Sequence, residues 1–329
     1  MAESTPHISA ANAIPGDDAV LPFQTDDPGI KGRLVRLGSC VDTILKRHNY
    51  PDKVSEVVAQ AIALTGMLGA SLPAGGKLSL QARTDGPVSF IFVDLEAGGL
   101  VRATASFNAA RVAEISSATV AQSQGASILG LGHMALTIEP GEGLERTQGI
   151  VGLDGGSLTQ AAQAYFRQSE QLPTYIRLAV AKHYMAGAQA GGPAWSWRAG
   201  GLIVQHLVQP LDDGEGAAES SAETADTQPA AADNWNRVRI LAATIEDHEL
   251  LDPALAPDRL LYRLFHDEGV RIFSPKPLAV HCRCSRQRVE AFLKSFGRDQ
   301  LADMHEADGK IAVTCEFCST AYRFDPESL

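Results

Sequence analysis

Four of the five cysteines in this 329-residue chain fall within its last 49 residues, and their spacing restricts the local fold more than any apolar pattern elsewhere. They stand as Cys282-Arg283-Cys284 and Cys315-Glu316-Phe317-Cys318, a C-x-C and a C-x-x-C with thirty residues between them. A tetrahedral Zn²⁺ takes four soft ligands at about 2.3 Å, and two short-range pairs brought together by a fold supply that geometry. Cys282, Cys284, Cys315 and Cys318 are therefore the expected ligands of a bound Zn²⁺. The C-x-x-C lies between strand-like runs at 310–314 and 320–324, as a metal-binding knuckle does. Between the pairs, Val289, Phe292, Leu293 and Phe296 recur at helical spacing, Gly297 ends the helix, and Asp308-Gly309 turns the chain into the last strands.

Two disulfides in a secreted module use four cysteines as well, but the N-terminus carries no signal-peptide pattern. A reducing, cytoplasmic setting favours metal over static disulfides. A purely structural zinc is the next alternative, and three features argue against it. A C-x-C pair closes only a tight, strained and therefore labile ring. Zn²⁺ holds sulfur as thiolate, the form that reacts with oxidants. Arg283, Arg286 and Arg288 place positive charge beside the first pair, which favours ionised sulfur. A module this small leans on its metal for about 10–16 kcal/mol of folding free energy. Oxidising the ligands removes that contribution, so the module is expected to behave as a switch.

The stretch HCRCSRQRVEAFLKSFGRDQLADM…GKIAVTCEFCSTAYRFD resembles the C-terminal zinc domain of the redox-regulated bacterial heat-shock holdases, the 33-kilodalton chaperone family. Upstream segments GRLVRLG, ILKRHNYP, GPVSFIFVD, QGIVGL, YFRQSEQLPT, WRAGGLIVQHL and LLYRLFHDEGVRIF resemble the same family, so the likeness spans roughly 20–210 and 235–329. It implies an ATP-independent holdase for unfolded clients, inactive when reduced and zinc-bound. It further implies the disulfides Cys282–Cys284 and Cys315–Cys318 after peroxide or hypochlorous acid with unfolding stress, an activated homodimer, and hand-over of clients to the 70-kilodalton heat-shock chaperone system.

Elsewhere the sequence predicts an α+β fold: a twisted antiparallel sheet domain covered by helices, then a helical linker and the small zinc-binding domain. Residues 1–18 read as a disordered tail, 19–210 as the core domain, 211–234 as an acidic low-complexity insert, 235–280 as the linker and 281–329 as the redox-switch domain. In the core, 39–47 and 52–68 carry helical periodicity, while 77–84, 88–94 and 100–107 alternate as three hairpin-linked strands. Further strands are expected at 20–23, 34–37, 134–138, 149–153 and 175–181, an amphipathic helix at 157–171, and a closing helix at 199–208. The lone Cys40 has Ile44 one turn on and reads as a small buried apolar residue. The insert holds seven acids and no base, which cannot bury enough surface to fold. In the linker, Trp235, Val238, Leu241, Ala242 and Ile245 mark one amphipathic helix. Pro257 opens another, with Leu260, Leu261, Leu264 and Phe265 as its stripe. That stripe has to dock on the sheet at rest, since bare it is a large apolar patch.

No catalytic constellation is found. The glycines before Lys77 are wrongly spaced for a phosphate loop, and no H-E-x-x-H or G-x-S-x-G occurs. A net charge of −11 disfavours nucleic acid and anionic membranes, and no apolar run is long enough to span a bilayer. Two alternatives stay open: a constitutive zinc-stabilised protein- or RNA-interaction module, and a thiol–disulfide oxidoreductase using Cys315 and Cys318, although the flanks of that motif look like a hairpin rather than a helix start.

Overall fold

A helix that is apolar on every side has to be surrounded, and residues 52–69 form one. In the computed structural model, which describes residues 16–115, 126–141, 143–185, 194–207, 224–297 and 300–326 except 302 and 307, that helix lies between two sheets. The chain enters through β1 (Ala19–Gln24), β2 (Ile30–Leu37), α1 (Ser39–His48) and the central α2 (Asp52–Gly69). It continues through β3 (Lys77–Thr84), β4 (Val88–Glu96), β5 (Leu100–Phe107), α3 (Ala109–Glu114), α4 (Ala126–Leu129), β6 (Leu131–Glu139) and β7 (Thr147–Asp154). Then come α5 (Leu158–Gln168), β8 (Thr174–Met185) and β9 (Ala194–His206). The C-terminal part adds α6 (Thr224–Ala243), α7 (Asp247–Leu251), α8 (Pro257–Phe265), β10 (Arg271–Ile272), β11 (Lys276–Pro277), β12 (Ala279–Val280), α9 (Arg286–Leu293), β13 (Ile311–Thr314) and β14 (Ala321–Phe324).

The expected antiparallel sheet is a pair of sheets. One has the order β10-β1-β2-β9-β8, with β11 also on β1; the other runs β12-β5-β4-β3-β6-β7. Alternation along β4 shows how they face: Ile91, Val93 and Leu95 are buried toward α2, while Phe92, Asp94 and Glu96 look outward. The predicted closing helix at 199–208 is instead the strand β9. Its apolar run is covered on both faces, by α2 within and by the linker helices outside, so it shows no strand alternation.

The linker forms a second core on the outer face of the first sheet. Val238, Ala242, Ile245, Leu250, Leu260, Leu261, Leu264 and Phe265 pack there on Phe23, Ile30, Leu34, Ala179, Leu202 and Val204. The apolar stripe of α8 is thus docked as the sequence requires. Residues 1–15 and 208–223, most of the expected tail and insert, lie outside the described residues. The ends of both segments belong to the fold. Asp18 caps α1 through Oδ1, which accepts from the Gly38 and Cys40 backbone N–H groups at 2.9 and 3.0 Å. Residues 224–234 open α6, where the Asn234 amide donates to Asp27 at 3.2 Å and Trp235 stacks on His206.

From the linker, residues 271–280 form a strap around the edges of both sheets. β10 and β11 pair with β1, and β12 then pairs parallel with β5. Leu278 is buried in the main core between them. The strap comes so close that a Cβ on Gly99, which sits at φ +83°, would lie 1.8 Å from the Pro277 carbonyl oxygen. Only glycine fits that approach and that backbone.

Candidate metal centre

The strap delivers the first cysteine pair. The His281 N–H donates to the Val101 carbonyl at 3.0 Å, so Cys282 leaves directly from the edge of the second sheet. The chain stays extended to Ser285, whose hydroxyl caps α9 by accepting from the Arg288 N–H at 3.2 Å. The second pair sits in the turn of the β13–β14 hairpin, where Cys315 N–H donates to Thr320 O and Ser319 N–H to Cys315 O, each at 2.9 Å. A small core of Leu293, Leu301, Ile311 and Phe324 holds α9 against the hairpin.

This packing brings all four sulfurs within 4.8 Å of one another. Cys282 and Cys315 Sγ are 3.7 Å apart, and Cys284 and Cys318 Sγ 3.3 Å. A sulfur tetrahedron around Zn²⁺ at about 2.3 Å has edges of about 3.8 Å, so the cluster fits that ion. The four are half-buried, and neither His281 nor His305 belongs to the cluster among the described residues. The sulfurs are electrostatically unequal. Burial pushes the Cys282 thiol up to about 12. Cys318 is lowered to about 7: burial opposes this, but hydrogen bonds from Thr320 and from neighbouring sulfurs outweigh it. The Tyr322 hydroxyl donates to Cys284 Sγ at 3.1 Å, and Thr320 Oγ1 is 3.2 Å from Cys318 Sγ. Such outer contacts orient metal ligands. Cys40 lies outside the sulfur cluster, buried, with its thiol pushed well up by burial and then by Asp18.

The arginines beside the first pair point elsewhere than expected. Arg283 pairs across to the core, with Asp94 and with Glu96 at 2.9 Å. Arg286 lies over the Phe324 ring, and Arg288 donates to the Arg283 carbonyl at 2.9 Å. Their charge thus anchors the module rather than facing sulfur. Asp94 is shared with Arg102, which donates to the same carboxylate at 2.8 and 3.0 Å and lies 4.0 Å over the Phe317 ring. Phe317 also meets Phe92 edge to face, and its carbonyl is 3.1 Å from His48 Nε2. Phe317, one of the two residues between the cysteines of the knuckle, thus seats the module on the second sheet together with Arg283. In the sequence, Asp94 and Arg102 look like solvated strand-face charges, so nothing marked them.

Fold and site together define a class: a two-sheet α+β protein with a C-terminal four-cysteine zinc module tied into its core. A family model described as Hsp33 protein matches residues 18–325, and the chain belongs to the Hsp33 family. The 33 kDa chaperonin of Caulobacter vibrioides (strain NA1000 / CB15N) is 38% identical over 310 residues, covering 94% of this chain and 95% of its own. That of Vibrio cholerae is 32% identical over 299 residues, covering 91% and 89%. A crystal structure of the 33 kDa chaperonin from Thermotoga maritima matches with a TM-score of 0.70 over 94% of this chain and 96% of that one, at 18% identity, a likeness of fold.

Proposed function

We propose that this chain is an ATP-independent holdase gated by the oxidation state of Cys282, Cys284, Cys315 and Cys318. The observation that carries the proposal is the single sulfur cluster made from both motifs, four residues downstream of a leucine sealed in the main core. Zn²⁺, when bound, supplies the charge that keeps four adjacent thiolates together. The protein supplies everything else: α9 and the hairpin hold the sulfurs, Arg283 and Phe317 seat the module, and the strap closes both sheets.

The pairing of the disulfides decides whether oxidation opens or locks the module. A bond from Cys282 to Cys315, or from Cys284 to Cys318, would staple the strap end to the hairpin and keep the module folded. Bonds within each motif, Cys282–Cys284 and Cys315–Cys318, tie neither piece to the other. With the sulfurs withdrawn from the metal, the module loses its principal source of folding free energy. The strap and linker then lift, and the apolar outer face of the first sheet becomes available to unfolded proteins. Homodimer formation after activation, hand-over of clients to the 70-kilodalton chaperone system and a cytoplasmic location belong to the same reading; no described helix is long and apolar enough to cross a membrane. The test is suppression of client aggregation. Zinc-loaded reduced protein is expected to be inactive, and protein treated with peroxide at elevated temperature to release zinc, lose four thiols and become active. Activity that is equal in both states, or that rises with the metal retained, refutes the gate. Reduction of insulin by the protein would instead favour an oxidoreductase.

A further inference from the structure

The docking of the linker is not purely apolar. Two arginines of the first sheet, Arg36 on β2 and Arg198 on β9, have 1% and 4% of their surface exposed beneath α7. Their guanidinium groups reach the free carbonyls at the end of that helix. Arg36 Nε donates to Leu250 O and Nη2 to Glu249 O, each at 3.1 Å, while Nη1 donates to Leu255 O in the connection that follows the helix. Arg198 Nε donates to Leu251 O at 2.8 Å, while its Nη atoms pair with Asp17 at 2.7 and 2.8 Å. The last carbonyls of a helix have no partner within it and carry the negative end of its dipole, so a buried guanidinium is their natural complement. Gly200 on β9 makes the approach feasible: a Cβ there would lie 2.8 Å from Leu250 O. Around the two forks lie Ile30, Leu34, Leu202 and Val204, an apolar floor.

We propose that this floor with its two arginines is the client site uncovered on activation, and that it selects amphipathic helical segments presenting uncapped C-terminal carbonyls. The inference rests on the holdase reading and sharpens it. A partner offering only apolar contact would cover these groups and leave the whole Arg36 fork and Arg198 Nε without acceptors, the Arg198 Nη atoms keeping Asp17, which is costly. A helix end satisfies them, as α7 does at rest. Discrimination therefore comes from rejecting the wrong partner more than from attracting the right one. Clients retaining helix are favoured over fully extended chains.

The test uses the full-length oxidised, zinc-released protein and a dye-labelled peptide copying residues 246–265, read by fluorescence anisotropy. Binding is expected in the oxidised state and not in the reduced, zinc-loaded one. Esters replacing the amide links after Leu250 and Leu251 weaken those carbonyls as acceptors and are expected to reduce affinity by about tenfold. An ester after Leu261, which costs a helix bond away from the arginines, serves as the control and should have a much smaller effect. The variants Arg36→Met and Arg198→Met are expected to bind the amide and ester peptides alike, and the peptide experiment on the natural chain stands even if one of them fails to fold. Equal affinity of the natural chain for the amide peptide and the ester after Leu250 and Leu251, or failure of excess amide peptide to block suppression of client aggregation, overturns the inference. The holdase reading is judged separately, by whether the oxidised protein suppresses aggregation with no peptide present.

Discussion

At the scale of single residues, the joint between module and core is concentrated on one carboxylate. Asp94 is 6% exposed and answers both Arg102 and Arg283. Removing its charge leaves two guanidinium groups facing each other with Glu96 as the remaining acid. Asp94→Asn is expected to loosen the docked module by about 3 kcal/mol and to speed zinc transfer to a chromogenic chelator, with the chain still folded by circular dichroism. Tyr322→Phe removes the hydroxyl that donates to Cys284 Sγ and should have a smaller effect in the same assay, about 1 kcal/mol. His48 adds a pH dependence. Burial, ahead of the hydrogen bonds to backbone that oppose it, lowers its pKa from 6.5, so the docked state prefers the neutral ring. The docked state therefore loses stability as pH falls below 6.5 and levels off once the depressed value is passed. Hydrogen exchange at residues 315–319 should quicken over that window, and His48→Gln should flatten the response.

At the scale of elements, the weak link is β12. It pairs with β5 through two residues only, and its approach depends on Gly99. Gly99→Ala places a methyl group against Pro277 and forces a positive φ on alanine, at a cost of about 1–3 kcal/mol. The expected result is a strap that exchanges rapidly at 277–281 with four cysteines and zinc intact, and measurable anti-aggregation activity in the reduced protein. Elements with one solvated face, such as α5 and the β3–β4–β5 meander, are legible from their period, and the surrounded α2 is legible because it is too long for a strand and carries acids and a lysine only in its first turns. Strand β9 was misread because cover on both sides erased its period, and the paired Gly200-Gly201 offered no strand signal of its own. The sulfur cluster is legible because four thiols at short spacings have few alternatives. Its seat is not, since Asp94 and Arg102 take their partners Arg283 and Phe317 from more than a hundred residues away in sequence, as Arg36 takes the Leu250 carbonyl in the linker. No local pattern encodes such a partner.

At the scale of the whole molecule, the C-terminal linker and zinc module, less than a third of the chain, cover the outer faces of a core that has its own interior. Linker helices lie on one sheet, the zinc module sits on the other, and the strap joins them around the edge. The core built on α2 takes no apolar contact from the module and only Leu278 and its neighbour Val280 from the strap. Stripping zinc with a strong chelator and oxidant is thus expected to split a single thermal transition into two, with the module and linker melting first. Persistence of one transition at an unchanged temperature would mean that cover and core are not separable.

Leu278 and Cys282 are four residues apart, at most about 14 Å of fully drawn-out backbone. A messenger that short needs no relay of side chains and no hinge. Under the proposed gate, the same few peptide units that feel a sulfur depart are the ones plugging the oily interior, so sensing and uncorking are a single mechanical event.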